Sequence, residues 1–324
     1  MKQQQKQQIA LVLGATGGIG NAMAKTLMQR GWQVRALHRR ADQMMAQDRS
    51  GIAWIQGDAM QQQDVIAAAE GASVIVHAVN PPAYRNWAQL VLPMIENSIA
   101  AARASGARIV LPGTVYNYGA DAFPDLSETS PQNPATRKGA IRVQLERRLR
   151  DAAQSGVRAL VVRAGDFFGP HMANSWFGQG LLKPGRPVTS VTYPGQRGLG
   201  HQWAYLPDVA ETMMQLIERE DALAAFDTFH MNGHWDADGT QMVAAIGRAS
   251  GQADLKVRKF PWWLLPLAAP FVPVFHELRE VSYLWRQPLR LDNQRLLQLL
   301  GSEPHTALDD AVKATLIGMA CLKA

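Results

Sequence analysis

Leu11-Val-Leu-Gly14-Ala-Thr-Gly17-Gly-Ile-Gly20 is the stretch that decides the fold. An apolar run of strand length breaks into a glycine turn, and a helical pattern starts directly behind it. Gly14, Gly17 and Gly20 lie three apart. Glycines so placed let the main chain approach a pyrophosphate closely. They also bring it to a helix N-terminus, where free N–H groups and the helix dipole favour negative charge. Gly14, Thr16, Gly17, Gly18, Ile19 and Gly20 are therefore the candidate phosphate-cradling residues.

On both sides of this stretch, apolar runs alternate with helical ones. Residues 9–13, 33–37, 53–56, 74–78, 108–111 and 159–163 read as strands; 18–30, 64–70, 87–105 and 137–155 read as helices. Near-continuous apolar strands between helices predict a parallel sheet covered on both faces, doubly wound by right-handed crossovers. After Gly165 the texture changes, with Gly and Pro dense over 169–200. Helical patterns return at 207–219, 239–249, 263–285 (interrupted), 293–300 and 307–322. The expected fold class is α/β, a Rossmann-type doubly wound parallel sheet with a smaller C-terminal substrate lobe. The expected division is a flexible N-terminus over 1–8, a dinucleotide-binding domain over 9–165, and a substrate lobe over 166–324 partly interleaved with the sheet.

The 324 residues are 47% hydrophobic, enough for a large core, and carry a formal net charge of +6. Basic residues cluster at 35–40, 137–150 and 256–259. No aromatic-interleaved basic module or zinc-finger spacing accompanies them, so solvated helix faces and a phosphate-bearing cofactor are expected rather than nucleic acid. Cys321 is the single cysteine, which excludes intramolecular disulfides and fits a reducing cytoplasm. The opening MKQQQKQQ is polar, and the apolar run behind it is too short for a signal sequence. A cytoplasmic location is expected. The stretch 260–275 is rich in Trp, Leu and Pro, but too short and proline-broken to span a bilayer. A buried or pocket-lining helix pair is expected there, with contact at a membrane surface as the lesser alternative.

The end of the second strand chooses between cofactors. An Asp or Glu there would take ribose hydroxyls. Here the run is His38-Arg39-Arg40, with no acid. Either arginine can grip a 2′-phosphate in bidentate fashion, which favours NADP over NAD. The alternative is a pair of solvated turn arginines. Asp58, behind Gly57, either meets the adenine amine or caps a turn.

Four segments in order (14–20, 57–79, 163–170 and 201–214) resemble the short-chain dehydrogenase/reductase superfamily. The likeness is to an atypical member of its extended, NAD-dependent epimerase/dehydratase-like branch. It implies that Ala78, Val79 and Asn80, closing the fourth strand, and Phe167 lie along the cofactor. It puts Thr114, in GTVYNYG, at the catalytic Ser/Thr station. In the next helix the family carries Tyr, three residues, then Lys. Setting Glu146 against the family's helix glutamate puts Lys138 and Arg142 at those stations. No register shift restores the pair, because no Tyr lies between Tyr118 and Tyr193.

Arg142 can hold ribose hydroxyls but cannot be a base, since guanidinium stays protonated. Lys138 is the candidate acid, tuned by burial and by Arg137 and Arg142; a solvated helix lysine is the alternative. Tyr116 and Tyr118 are the nearest phenols. Tyr116 is kept as a third catalytic candidate. Pro82, Tyr118, Phe168, His171, Asn174, Trp176, His201 and Trp203 are expected to shape a flat, apolar substrate site. His77 reads as a core histidine. No metal site is expected, since the nearest His pair, His230 and His234, reads as loop. The resemblance implies an oxidoreductase transferring hydride on a small carbonyl or alcohol. It also implies a homodimer through helices 87–105 and 137–155. Two alternatives stay open: nucleotide-sugar epimerase or dehydratase chemistry, and a non-catalytic NADP-binding redox sensor or regulatory protein.

Overall fold

A computed structural model of the chain describes residues 7–81, 87–172, 175–252, 254–265 and 279–323. The first half alternates strand and helix: β1 (Ile9–Leu13), α1 (Gly18–Gln29), β2 (Gln33–His38), α2 (Ala41–Gln47), β3 (Ala53–Gln56), α3 (Gln62–Ala68), β4 (Val74–His77), α4 (Trp87–Ser105) and β5 (Arg108–Gly113). There follow β6 (Asp125–Leu126), α5 (Arg137–Ala153), β7 (Arg158–Arg163), β8 (Asp166–Phe168), β9 (Ser190–Tyr193), β10 (His201–Tyr205), α6 (Leu206–Ile217) and β11 (Phe226–His230). The chain ends with β12 (His234–Asp236), α7 (Gln241–Ser250), β13 (Lys256–Lys259), β14 (Arg290–Leu291), α8 (Gln294–Leu300) and α9 (Leu308–Gly318).

Contacts group the chain into two compact units. One comprises 1–113, 143–162 and 210–228; the other comprises 114–142, 163–209 and 229–324. The large sheet has seven strands in the order β11-β7-β5-β4-β1-β2-β3. β1 runs parallel to β2 and β4, β2 to β3, and β4 to β5. β4 and β5 are buried at every position, and β1 at all but its first. That burial is why these strands read as unbroken apolar runs: helices cover both faces. Of the elements missing from the sequence reading, α2 is instructive. Its residues ADQMMAQ bury only Ala41, so no apolar stripe marks it.

The second unit holds a three-stranded sheet, β12-β10-β8, and two-stranded pairs β13-β9 and β14-β6. Its core packs Phe168, Phe177, Trp203, Met242, Ile246 and Leu316. His230 and His234, expected in a loop, lie in β11 and β12 instead. His234 pairs with Trp203 of β10, so the neighbouring strand supplies the order that local sequence does not. Of the interrupted helix expected over 263–285, the described parts are two short turns, Trp262–Leu264 and Val281–Trp285, and helical residues at 265 and 279–280. The remainder lies outside the described residues. Among the described residues no helix is long and apolar enough to cross a membrane.

Close backbone approach governs the first crossover. Gly14 has φ +89, and a Cβ there would sit 2.5 Å from the carbonyl oxygen of Ala78. A Cβ on Gly20 would sit 2.1 Å from the carbonyl oxygen of Gly14, whereas one on Gly17 would meet it at 3.3 Å. Gly20→Ala should therefore destabilise the protein by about 1–3 kcal/mol, the usual cost of overpacking. Gly17→Ala should cost clearly less. Urea unfolding of the two variants checks this, and equal losses would remove the argument.

Candidate active site

The glycine turn leads into a helix N-terminus without a side-chain cap. Gly17 N–H donates to the Gly14 carbonyl at 2.9 Å, and Gly17 then opens α1. It offers α1 no side-chain cap, and no acid lies in the first turn. The first-turn N–H groups, including those of Gly18, Ile19 and Gly20, have no intrahelical acceptor, and the positive dipole end is not neutralised. Thr16 is exposed beside them. The contact of Gly14 with Ala78 and Val79 closes β1 on β4, where the order of the strands reverses and ligands of such sheets bind. Asn80 accepts a hydrogen bond from Trp87 Nε1 at 2.8 Å. Pro82 and Asn174 lie outside the described residues.

The end of β2 emerges at the same sheet edge, since Leu13 and Leu37 are register partners. Its main chain is held firmly. Arg40 N–H donates to His38 Nδ1 at 3.1 Å, and the Gln56 amide donates to the Arg39 carbonyl at 2.8 Å. The same amide oxygen accepts from Ala41 N–H at 3.0 Å. The guanidinium groups of Arg39 and Arg40 are exposed, with no ion pair among the described residues. Asp58 does cap a turn: one oxygen accepts from Met60 N–H at 3.0 Å. His77 is a core histidine, its Nδ1 at 2.8 Å from Ser98 Oγ.

In the second unit Thr114 leads off. Its hydroxyl donates to Asn117 Oδ1 at 3.3 Å, and its carbonyl accepts from the Arg163 guanidinium. Arg163 is fully buried, 5.1 Å from the Tyr118 ring centroid, and its Nε donates to His230 Nε2 at 3.3 Å. Nε2 is thus the acceptor of that ring, and Nδ1–H donates to the Leu126 carbonyl at 3.3 Å. Burial first, and the Arg163 charge second, push His230 down to about 3. Tyr118 hydroxyl lies 3.2 Å from the same Nε2, and none of the side chain is exposed. Tyr118 was expected to face substrate; it is committed to this buried network instead.

Gly139 fixes the start of α5. A Cβ there would lie 2.1 Å from the Tyr116 carbonyl oxygen, so the first helical turn rests on main chain. Lys138, beside it, is only 4% exposed, which removes the alternative of a solvated helix lysine. Arg142 lies one turn on, on the same helix face. The side chain of Tyr116 is half-buried.

The predicted aromatic residues separate into two sets. Phe168 and Trp203 are fully buried. Phe167 and Trp176 keep part of their surface, and His171 is exposed at φ 62. His201 Nε2 is 2.8 Å from Asp166 Oδ2, and its ring stacks on Trp285 at 3.8 Å and 9°. The carboxylate orients the ring through Nε2. Sequence reading missed Asp166 and Trp285. The only signal was one acid inside the apolar run 163–168. Among the described residues no group of three metal-binding side chains occurs.

Residues 10–231 match the NAD dependent epimerase/dehydratase family. The chain belongs to this family. The 3-diazoavenalumate denitrifying reductase of Streptomyces sp is 32% identical over 178 residues, 49% of this chain and 56% of that protein. The sterol-4-alpha-carboxylate 3-dehydrogenase, decarboxylating, of Mus musculus is 32% identical over 79 residues, 24% and 21% of the two chains. The chain therefore spans little more than half the length of the first curated relative and less of the second. MoeE5, solved with UDP-glucose and NAD, shares the fold with a TM-score of 0.72 at 17% identity, covering 96% of this chain and 98% of that one. Family membership supports a nicotinamide cofactor.

Two buried histidines make stability depend on pH. His230 is lowered to about 3; His234, through burial and then His305, is lowered to about 4. Below about pH 6.5 the unfolded chain binds protons that the native state refuses. Native stability should be complete above that pH and fall as pH drops toward 4. The slope should approach ~1.4 kcal/mol per pH unit for each histidine. Urea unfolding between pH 7 and pH 4.5 measures it. His234→Asn should flatten the slope by about one proton; an unchanged slope would refute its part.

Proposed function

We propose that this chain is an NADP-dependent oxidoreductase of the atypical extended type, moving hydride to or from a small carbonyl or alcohol carbon. One observation carries the cofactor choice. Two exposed arginines, Arg39 and Arg40, with no ion pair among the described residues, stand at the same sheet edge as an uncapped helix N-terminus, with no acid at the end of β2 to take ribose hydroxyls. The nicotinamide, when bound, supplies or takes the hydride. The uncapped turn of α1 holds the pyrophosphate and the arginines hold the 2′-phosphate. Asp58 retains one oxygen for the adenine amine. Arg142 takes ribose hydroxyls. Thr114 and Lys138 address the substrate oxygen, with Lys138 Nζ giving up or accepting the proton and Tyr116 flanking them. A flat, apolar substrate suits Phe167, Trp176 and His201. Dimerisation through α4 and α5 and a cytoplasmic location complete the reading.

Epimerase or dehydratase chemistry on a nucleotide sugar is the second reading. The family description and the UDP-glucose bound to MoeE5 favour it. The absence of any Tyr in α5 weighs against it. The same absence suits a non-catalytic NADP sensor, which would bind cofactor and turn nothing over.

Arg39→Ala with Arg40→Ala should weaken NADP binding by about tenfold or more, the loss expected for charge-assisted hydrogen bonds. NAD binding should change by less than about twofold. Calorimetry with both cofactors decides it, and equal losses would withdraw the 2′-phosphate assignment. Lys138→Met and Thr114→Ala should each lower kcat by about a hundredfold, as loss of acid–base help does, with cofactor affinity intact. Unchanged turnover in both would move the chemistry elsewhere.

A further inference from the structure

The large hydrophobic side chains exposed among the described residues are Met45, Val257, Trp263, Leu264 and Leu297. Three of them fall between residues 257 and 264. Trp263 is 71% exposed, Leu264 42% and Val257 41%. Val257 lies in β13, which is exposed along its whole length, carries Lys256, Arg258 and Lys259, and precedes the other two. None of these three cations is in an ion pair among the described residues. Asp254 is the single acid between 254 and 264.

The turn is anchored so that its apolar tip points out. Phe260 N–H donates to the Tyr193 carbonyl at 3.0 Å, and Trp262 Nε1 donates to the Pro194 carbonyl at 2.7 Å. The Trp262 ring packs on Phe260 at 4.7 Å and on Trp176 at 5.8 Å, while Leu265 is buried. With Trp262 and Leu265 held, the short turn Trp262–Leu264 presents Trp263 and Leu264 to solvent. β13 pairs with β9 alone in its sheet, and lysines on an edge strand guard against aggregation. That guard accounts for the cations. It does not account for a tryptophan left in water beside them.

We propose that this face, β13 with Trp263 and Leu264, docks the protein on an anionic phospholipid surface. Tryptophan favours the headgroup level of a bilayer, and leucine beside it adds shallow insertion. Cations flanking a small apolar tip meet anionic headgroups, each strengthening attachment by about fivefold at modest salt. A protein partner fits less well, because protein interface cores are depleted of lysine.

The test uses the full chain with vesicles of phosphatidylcholine alone or mixed equally with phosphatidylglycerol. Sedimentation should show binding to the mixed vesicles, at least about tenfold stronger than to phosphatidylcholine alone, and weakened as salt rises from about 0.05 to 0.5 M. Lys256→Gln with Arg258→Gln and Lys259→Gln should abolish the preference for phosphatidylglycerol. Trp263→Ser with Leu264→Ser should reduce binding by about tenfold or more. Trp263→Phe should keep binding within about threefold yet lose most tryptophan quenching by brominated lipid. Circular dichroism checks that each variant is folded. Failure of the wild-type protein to bind mixed vesicles at low salt would overturn the proposal. So would equal binding by all variants, or self-association lost in the Ser variant without any vesicle binding.

Discussion

The backbone contact among Gly14, Gly20 and Ala78 is the constraint on which the first unit depends. Without side chains at Gly14 and Gly20, β1, the first turn of α1 and the end of β4 come within van der Waals reach. That closure leaves the N-terminus of α1 uncapped and pointed at the edge where β2 also ends. The same geometry therefore serves packing and, in the function proposed above, phosphate recognition. Residues able to fill the gap or cap the helix would improve neither, since an acid in the first turn would repel the ligand.

The second unit has its own fixed point in Arg163. A fully buried guanidinium is tolerated only when its charge is met by acceptors. Here the Thr114 carbonyl, His230 Nε2 and the Tyr118 ring surround it. Burial first, and the Arg163 charge second, disfavour a proton on the His230 ring. Tyr118 is held in this buried network. Its neighbour Thr114 keeps a hydroxyl bonded only weakly, at 3.3 Å, to Asn117. A substrate oxygen can replace that bond at little cost, which suits a positioning role.

The large sheet was legible because parallel strands buried on both faces need unbroken apolar runs, and the glycine turn marks the first crossover without ambiguity. Family membership was legible for the same reason: its segments fall in order along these strands. The site was legible only in part. The burial of Lys138, and the close approach of Gly139 to the Tyr116 carbonyl beside it, leave no periodic trace in the sequence. The Asp166–His201 pair joins two strands far apart in sequence. Aromatic residues were the least informative. Phe167 and Phe168 are neighbours with opposite fates, because a strand turns successive side chains to opposite faces and only tertiary packing says which face is core.

Trp262 and Trp263 repeat that lesson on a tighter period. A three-residue turn rotates successive side chains by about a third of a revolution, so adjacent tryptophans cannot both face the core. Trp262 takes the inward position, where its ring finds Trp176 and its N–H finds the Pro194 carbonyl. Trp263 is left outward beside three cations. Burying both would have required only a longer loop or a smaller second residue, either of which keeps the anchor intact. Retaining a large apolar ring in water lowers solubility without adding to the core. An exposed ring of this size, near in sequence to charges that no acid meets among the described residues, is best explained by a surface that offers apolar depth and negative charge together.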